Sequence, residues 1–209
     1  MFTASAARKS LRRYRKKGLD DVERRLVDAA LAEGVDGARV LEIGGGVGAL
    51  QAELLAAGAA SGEVVELVPA YEPYAHELAE LRGLVGRTRF RVVDVLEEPS
   101  AVERADVVVL NRVVCCSPDG VELTELAARL ARRTLLLSYP RDAWWVRLGV
   151  RSMNAGLWLA RRSFRVFVHS PAQLTAAGEA AGLALELCGR GRFWEYAILR
   201  RPHALEGAV

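Results

Sequence analysis

Two periods of apolar residues alternate along this chain. Short runs dense in Val, Leu and Ile are followed by longer stretches in which apolar positions recur every three or four residues, the spacing of one helix face. The runs predict strands at 39–43, 62–67, 89–95, 106–111 and 134–138, with helices at 48–58, 71–82 and 120–132 between them. Two more helices, 5–18 and 21–33, precede the first strand; Gly18 and Gly34 close them, and Asp20 or Asp21 caps the second. In that second helix Val22, Leu26, Ala29 and Ala30 share one apolar face.

Past residue 140 the rhythm changes. Residues 141–163 hold Trp144, Trp145, Leu148, Met153, Leu157, Trp158 and Leu159, with Arg147, Arg151, Arg161 and Arg162 among them. They read as an amphipathic insertion of two short helices. Such a segment suits core packing, a membrane surface or a substrate lid, and its place after a strand end favours the lid. Residues 164–169 alternate like a short edge strand. Ser170 and Pro171 then begin a helix that Gly182 stops. The last strands, 183–188 and 193–200, are joined by Gly189-Arg190-Gly191, a connection only antiparallel neighbours permit.

The predicted fold is therefore α/β: a Rossmann-like seven-stranded sheet, mostly parallel with an antiparallel C-terminal hairpin and helices on both faces. It is expected to form a single domain over 1–209, with N-terminal helices at 1–38 and a lid-like insertion at 141–169. A sheet of this kind binds ligands beyond the carboxyl ends of its strands, beside strand one.

Composition adds limits. A chain of 209 residues, 51% hydrophobic and 26% charged, can bury a full core without staples. No apolar run approaches the length of a membrane span, and the N-terminus lacks a signal-peptide core, so neither is expected. Cys115, Cys116 and Cys188 have no metal-ligand or disulfide-framework spacing; no metal site is expected, and a reducing cytoplasm is the expected location. The net charge of +3 is uneven, because residues 1–19 carry seven bases and no acid. That basic head suits a solvated helix face, a transit-peptide-like leader or contact with nucleic acid.

The chemistry converges on residues 40–48. An apolar strand ends in Gly44-Gly45-Gly46-Val47-Gly48, and a helix follows. Glycine lets the turn close and lets a ligand approach bare backbone, while the helix N-terminus offers free N–H groups. Gly44-x-Gly46-x-x-Ala49 satisfies the loose dinucleotide pattern, so NAD stays open on glycines alone. Glu66, at the end of strand two, can accept hydrogen bonds from a ribose diol in either case.

Glu42 before the glycines, with Gly48 after them, completes Glu-x-Gly-x-Gly-x-Gly, which resembles motif I of the class I S-adenosylmethionine (SAM) methyltransferases. The antiparallel C-terminal hairpin is similar too. The resemblance implies SAM as cofactor. It implies Gly44, Gly45, Gly46 and Gly48 around the methionine moiety, with Glu42 ordering the loop. It places Glu66 and Leu67 at the ribose, Asp94 and Val95 at adenine, Asn111 and Arg112 under the sulfonium, and Tyr14 on a lidding N-terminal helix. Residues 112–118 and the insertion resemble most the magnesium-protoporphyrin O-methyltransferase branch, where a histidine precedes a Tyr-Pro pair; here Cys116-Ser117-Pro118 stands instead. The implied activity is methyl transfer to a small-molecule acceptor, O- or N-directed. His169 and Tyr139 are the expected bases, and Cys116, Trp144, Trp145 and Arg147 the expected acceptor contacts. Two alternatives remain: an RNA methyltransferase, although Asn111-Arg112-Val113-Val114 departs from the amino-directed motif, and a non-catalytic SAM-binding module. No stable nucleic-acid complex is expected.

Overall fold

The computed structural model describes residues 3–202; residues 1–2 and 203–209 of the expected domain lie outside the described residues. Helix α1 (Ala4–Lys17) starts at Thr3, whose hydroxyl accepts the Ala6 N–H, and stops at Gly18 with φ 66°. Helix α2 (Asp21–Glu33) begins with a reciprocal capping box: the Asp20 carboxylate accepts the Glu23 N–H, and the Glu23 carboxylate accepts the Asp20 N–H. The alternation follows as β1 (Arg39–Ile43), α3 (Ala49–Ala56), β2 (Ser61–Glu66), α4 (Glu72–Leu81), β3 (Thr88–Val92), β4 (Ala105–Asn111), α5 (Gly120–Leu130) and β5 (Ala131–Pro140). Helices α6 (Trp144–Leu159) and α7 (Pro171–Ala180) and strands β6 (Ala184–Arg190) and β7 (Trp194–Arg200) complete the chain.

The seven strands form one sheet in the order β3-β2-β1-β4-β5-β7-β6. The first five are mutually parallel, and β7 runs antiparallel to both β5 and β6. Each face is covered. Val40, Val107 and Leu136 pack with α1, α2, α3 and α4 residues such as Leu11, Leu26, Leu50 and Leu78. Leu41, Val108 and Leu135 pack with Leu123 and Leu174 of α5 and α7. This two-period alternation explains why the strands read as unbroken apolar runs: both faces are buried. The chain reverses direction of growth between β1 and β4, which opens a crevice at their carboxyl ends. Register places the functional residues there, since Ile43 lies opposite Val65 and so brings Gly44 beside Glu66.

Several elements differ from the sequence expectation, among them β3, which ends at Val92 rather than 95, and β6, which runs on to Arg190 through the expected turn. Strand β5 is longer than 134–138, because β4 and β7 flank it along most of its length. The insertion forms one helix, α6, rather than two. Gly149 and Gly156 lower helix propensity by about 1 kcal/mol each, which a helix of 16 residues tolerates. Residues 164–169 form no strand. The side chain of Asn154 stands where a neighbouring strand would: its Oδ1 accepts the Val166 N–H at 2.9 Å and its Nδ2 donates to the Val166 carbonyl at 2.8 Å. The Phe167 N–H donates to the Cys115 carbonyl at 2.9 Å, so the segment is tied down without joining the sheet.

Helix α6 buries Val146 and Val150 toward the body and leaves Trp144 77% exposed and Trp158 68% exposed. These two tryptophans are not core. Trp144→Ala is expected to change unfolding free energy by less than about 0.5 kcal/mol, as surface substitutions do, whereas a buried tryptophan costs roughly 3–5 kcal/mol; denaturant titration separates the two. Among the described residues, no helix is long and apolar enough to cross a membrane.

Candidate active site

The site is built on the exit of β1. The Gly44 N–H donates to the Val65 carbonyl at 2.7 Å, and a Cβ on Gly44 would lie 2.3 Å from a Val113 methyl, so only glycine closes this turn. Gly46, at φ 58°, donates its N–H to Glu66 Oε2 at 3.0 Å. Gly48 is left-handed at the start of α3 and offers no side-chain cap. Glu42 supplies the missing acceptor: its Oε2 takes the Gln51 N–H at 3.1 Å. Strand alternation puts Glu42 on the same face as Val40, under α3, where it is 1% exposed. Burial pushes its carboxyl up to about 8, aided by the charges of Glu23 and Glu66 and opposed by the Gln51 N–H.

A cavity of about 380 Å³ opens at the carboxyl ends of β1, β2 and β4. Of the residues expected at the site, Gly44, Gly46, Glu66, Leu67, Asp94, Val95, Arg112 and Cys116 line it together. Glu66 accepts N–H groups from Gly46 and Val68, yet burial outweighs them and raises its carboxyl. Asp94 holds its own turn by accepting the Leu96 N–H at 3.0 Å. Cys115 is buried and its thiol is pushed up by its neighbour Cys116 and by burial; Cys116 opens on the cavity with its thiol held below the ordinary range by Cys115.

Other expected residues stand elsewhere. Glu42, Gly45 and Gly48 form the layer behind the cavity; a Cβ on Gly45 would strike the Glu42 side chain at 2.6 Å. Asn111 faces away, accepting from Ser138 Oγ at 2.7 Å. Tyr14 is 5% exposed and wedged between α3 and α4, where its hydroxyl donates to Glu53 and accepts from Arg82. It anchors α1 and does not line the cavity. Tyr139 is also buried, and burial with the Glu195 charge lifts its hydroxyl to about 12. His169 Nε2 lies 3.0 Å from the carbonyls of both Val114 and Ser117, so that nitrogen carries its proton and clamps the 3-10 turn Val114–Cys116. Neither residue is aimed into the cavity as a base. Trp144, Trp145 and Arg147 do not wall it either: Trp145 packs edge-on against Phe193, and Arg147 is held by Asp142 at 2.5 Å.

Sequence reasoning passed over Tyr71, Leu96, Val113, Leu123 and Phe164, all of which line the cavity. The Pro69–Tyr71 turn after β2 carried a proline signal for Tyr71. Phe164 had none, since folding alone brings it from the far side of α6. Arg112 is held in the left-handed region at φ 59°, with its N–H on Ser138, its guanidinium on Asp20 at 2.5 Å and its charge 4.7 Å from the Trp194 ring. It thereby fastens the start of α2 beside the cavity.

The sequence matches the methyltransferase domain family over residues 11–187. The chain belongs to that family. Its fold is shared with solved methyltransferases. The magnesium protoporphyrin IX methyltransferase of Synechocystis PCC 6803, solved with bound SAH, is 20% identical with a TM-score of 0.69, over 87% of this chain and 82% of the other. The N-methyltransferase NodS of Bradyrhizobium japonicum WM9, in complex with S-adenosyl-L-homocysteine, is 17% identical with a TM-score of 0.66, over 96% and 98%. An O-methyltransferase family protein of Burkholderia thailandensis is 21% identical with a TM-score of 0.68, over 88% of this chain and 57% of that one. No curated protein is detectably similar in sequence. The methyltransferase is thus a SAM-dependent enzyme of class I fold.

The cavity of this methyltransferase fits SAM. Gly44 and Gly46 present bare backbone, Glu66 retains free carboxylate lone pairs for a diol, and Asp94 beside Val95 offers an acceptor next to an apolar wall. A Cβ on Gly46 would meet only the Tyr71 ring, at 3.3 Å, so the main cost of a substitution to the fold is the left-handed backbone at φ 58°. Gly46→Ala is expected to lose roughly 1–2 kcal/mol of stability for its left-handed alanine yet stay folded by circular dichroism, while its Cβ, standing where the backbone was bare, lowers SAM affinity in calorimetry. Undiminished affinity would show that the loop does not touch the cofactor.

Glu42 generates a pH prediction. Its carboxyl rises from the ordinary 4.5 to about 8 in the folded methyltransferase, so the folded state binds an extra proton between those values. Its contribution is complete below the lower value and is lost as pH climbs toward the upper one. Glu42→Gln, neutral at every pH, is expected to melt above wild type at pH near 8 and level with it only below the ordinary value of 4.5 in scanning calorimetry.

Proposed function

We propose that this enzyme moves the methyl group of SAM to an oxygen or nitrogen of a small-molecule acceptor with an apolar body, in the cytoplasm, within one domain. One observation carries the reading. One cavity is lined both by the polar groups of Gly44, Gly46, Glu66 and Asp94 and by apolar side chains of Leu96, Val113, Leu123 and Phe164. Pockets for small molecules have this composition: mostly apolar walls with a few placed polar groups. Three free thiols suit a reducing compartment.

Bound SAM supplies an electrophilic methyl on its sulfonium. The chain's own residues then align the acceptor and keep water out. A base is needed only where the acceptor must lose a proton at attack. His169 gives its Nε2 proton to carbonyls and Tyr139 is sealed in the core, which favours an acceptor that brings its own lone pair, such as an amine or an ionised oxygen. The basic helix α1 supports no stable nucleic-acid complex in this proposal. Part of its charge is already engaged, with Arg13 on Glu23 at 2.9 Å and Arg15 on Glu77 at 3.3 Å.

The test is an incubation of purified protein with methyl-labelled SAM and fractionated cell extract, scored by product mass. A labelled small molecule with one added methyl is the expected product. Label found in RNA would replace the acceptor class, and cofactor binding without turnover on any fraction would reduce the protein to a binding module.

A further inference from the structure

Helix α6 is apolar on the side it turns outward. Trp144, Leu148, Ala155 and Leu159 fall at spacings of four, seven and four residues and make one stripe along the helix, with Trp158 at its border. Their exposures are high: 77% for Trp144, 56% for Leu148, 68% for Trp158 and 74% for Leu159. The opposite side, through Val146, Val150 and Asn154, already holds α6 to the body, so the stripe is not a misplaced packing face. An ordinary surface helix would carry polar residues there.

Charge around the stripe has one sign. Residues 141–165 contain six arginines and a single acid, Asp142, which Arg147 already engages. Arg151 lies within the stripe, between Trp144 and Trp158 around the helix, and Arg161 and Arg162 follow its C-terminal end; among the described residues these three make no ion pair with a carboxylate. A tryptophan stands near each end of the helix, the residue favoured where apolar and polar phases meet.

We propose that this outward face of α6 seats the protein on an anionic membrane surface, the helix lying in the plane of the headgroups. Apolar area together with basic charge is what such interfacial helices use. A second copy of the chain fits poorly, because a two-fold contact would set these arginines against each other with no acid to meet them. A lone convex helix also needs no complementary groove when lipid closes around it.

The test uses the full chain without cofactor, so its outcome does not depend on methyl transfer. Vesicles of phosphatidylcholine alone are compared with vesicles containing roughly one-third phosphatidylglycerol, at low and at physiological salt, by co-sedimentation and tryptophan emission. Binding and a blue shift are expected only with phosphatidylglycerol, weakening as salt rises. Changing Arg151, Arg161 and Arg162 together to glutamine should lower partitioning on the order of 100-fold, at about fivefold per basic residue. Leu148→Glu with Leu159→Glu should abolish it while leaving the melting temperature and SAM affinity unchanged, as both side chains are exposed. Equal partitioning into the two vesicle types, no binding to either, or a glutamate variant that binds like wild type would overturn the proposal. So would a wild-type dimer in sedimentation velocity that this variant converts to monomer in the absence of lipid.

Discussion

Everything at the functional end of this protein depends on how β1 ends. A strand buried on both faces must turn within a few residues and start a helix whose first N–H groups have no partners of their own. The chain meets this with three left-handed glycines, at Gly44, Gly46 and Gly48, and with one carboxylate placed beneath the helix rather than at its cap. Glu42 sits in a position that strand alternation would otherwise give to an aliphatic side chain, and the cost of burying it appears as its raised titration. The N–H of Gln51 and the positive end of the α3 dipole partly offset that cost. The same turn leaves Gly44 and Gly46 bare toward the cavity, so capping and ligand access come from one piece of geometry.

A second anchor holds the N-terminal helices to that end of the sheet. Arg112 occupies a backbone region that costs a non-glycine residue of order 1–3 kcal/mol, and persists there because its surroundings determine it. Its guanidinium joins Asp20 of the α2 capping box to the face of Trp194 on β7, elements far apart in sequence. Glu23 of the same box receives Arg13 from α1. Local helix capping and long-range docking therefore share the same two carboxylates. Tyr14, Glu53 and Arg82 repeat the device on the other side, binding α1 to α3 and α4.

Helix α6 stands apart from this economy. Its inward contacts are few and specific, and its outward face shows large apolar side chains to solvent. Beyond its end, the chain delivers Phe164 to the cavity wall. The insertion thus reaches the cavity through the residue that follows it, while its tryptophans look away.

The elements, their order and several residues that line the cavity were legible in the sequence, because each rests on local rules. Buried parallel strands read as apolar runs, glycines mark the turn at 44–48, Asp20 and Glu23 announce a helix start, and Glu66 follows from its place at a strand end. What needed the tertiary structure was direction and partnership. The pattern could not tell whether Trp144 faced a pocket or solvent, because a helix apolar on two sides gives the same periodicity for either choice. Tyr14 and His169 carried chemically suitable groups, but a phenol bound to Glu53 and an imidazole bound to two carbonyls are occupied by partners distant in the chain. The expected strand at 164–169 had the right alternation and lost its sheet neighbour to β7, which already pairs with β5, so the amide of Asn154 took that place. Hydrogen-bond partners are claimed once each in a fold, and only the assembled chain decides which claim succeeds.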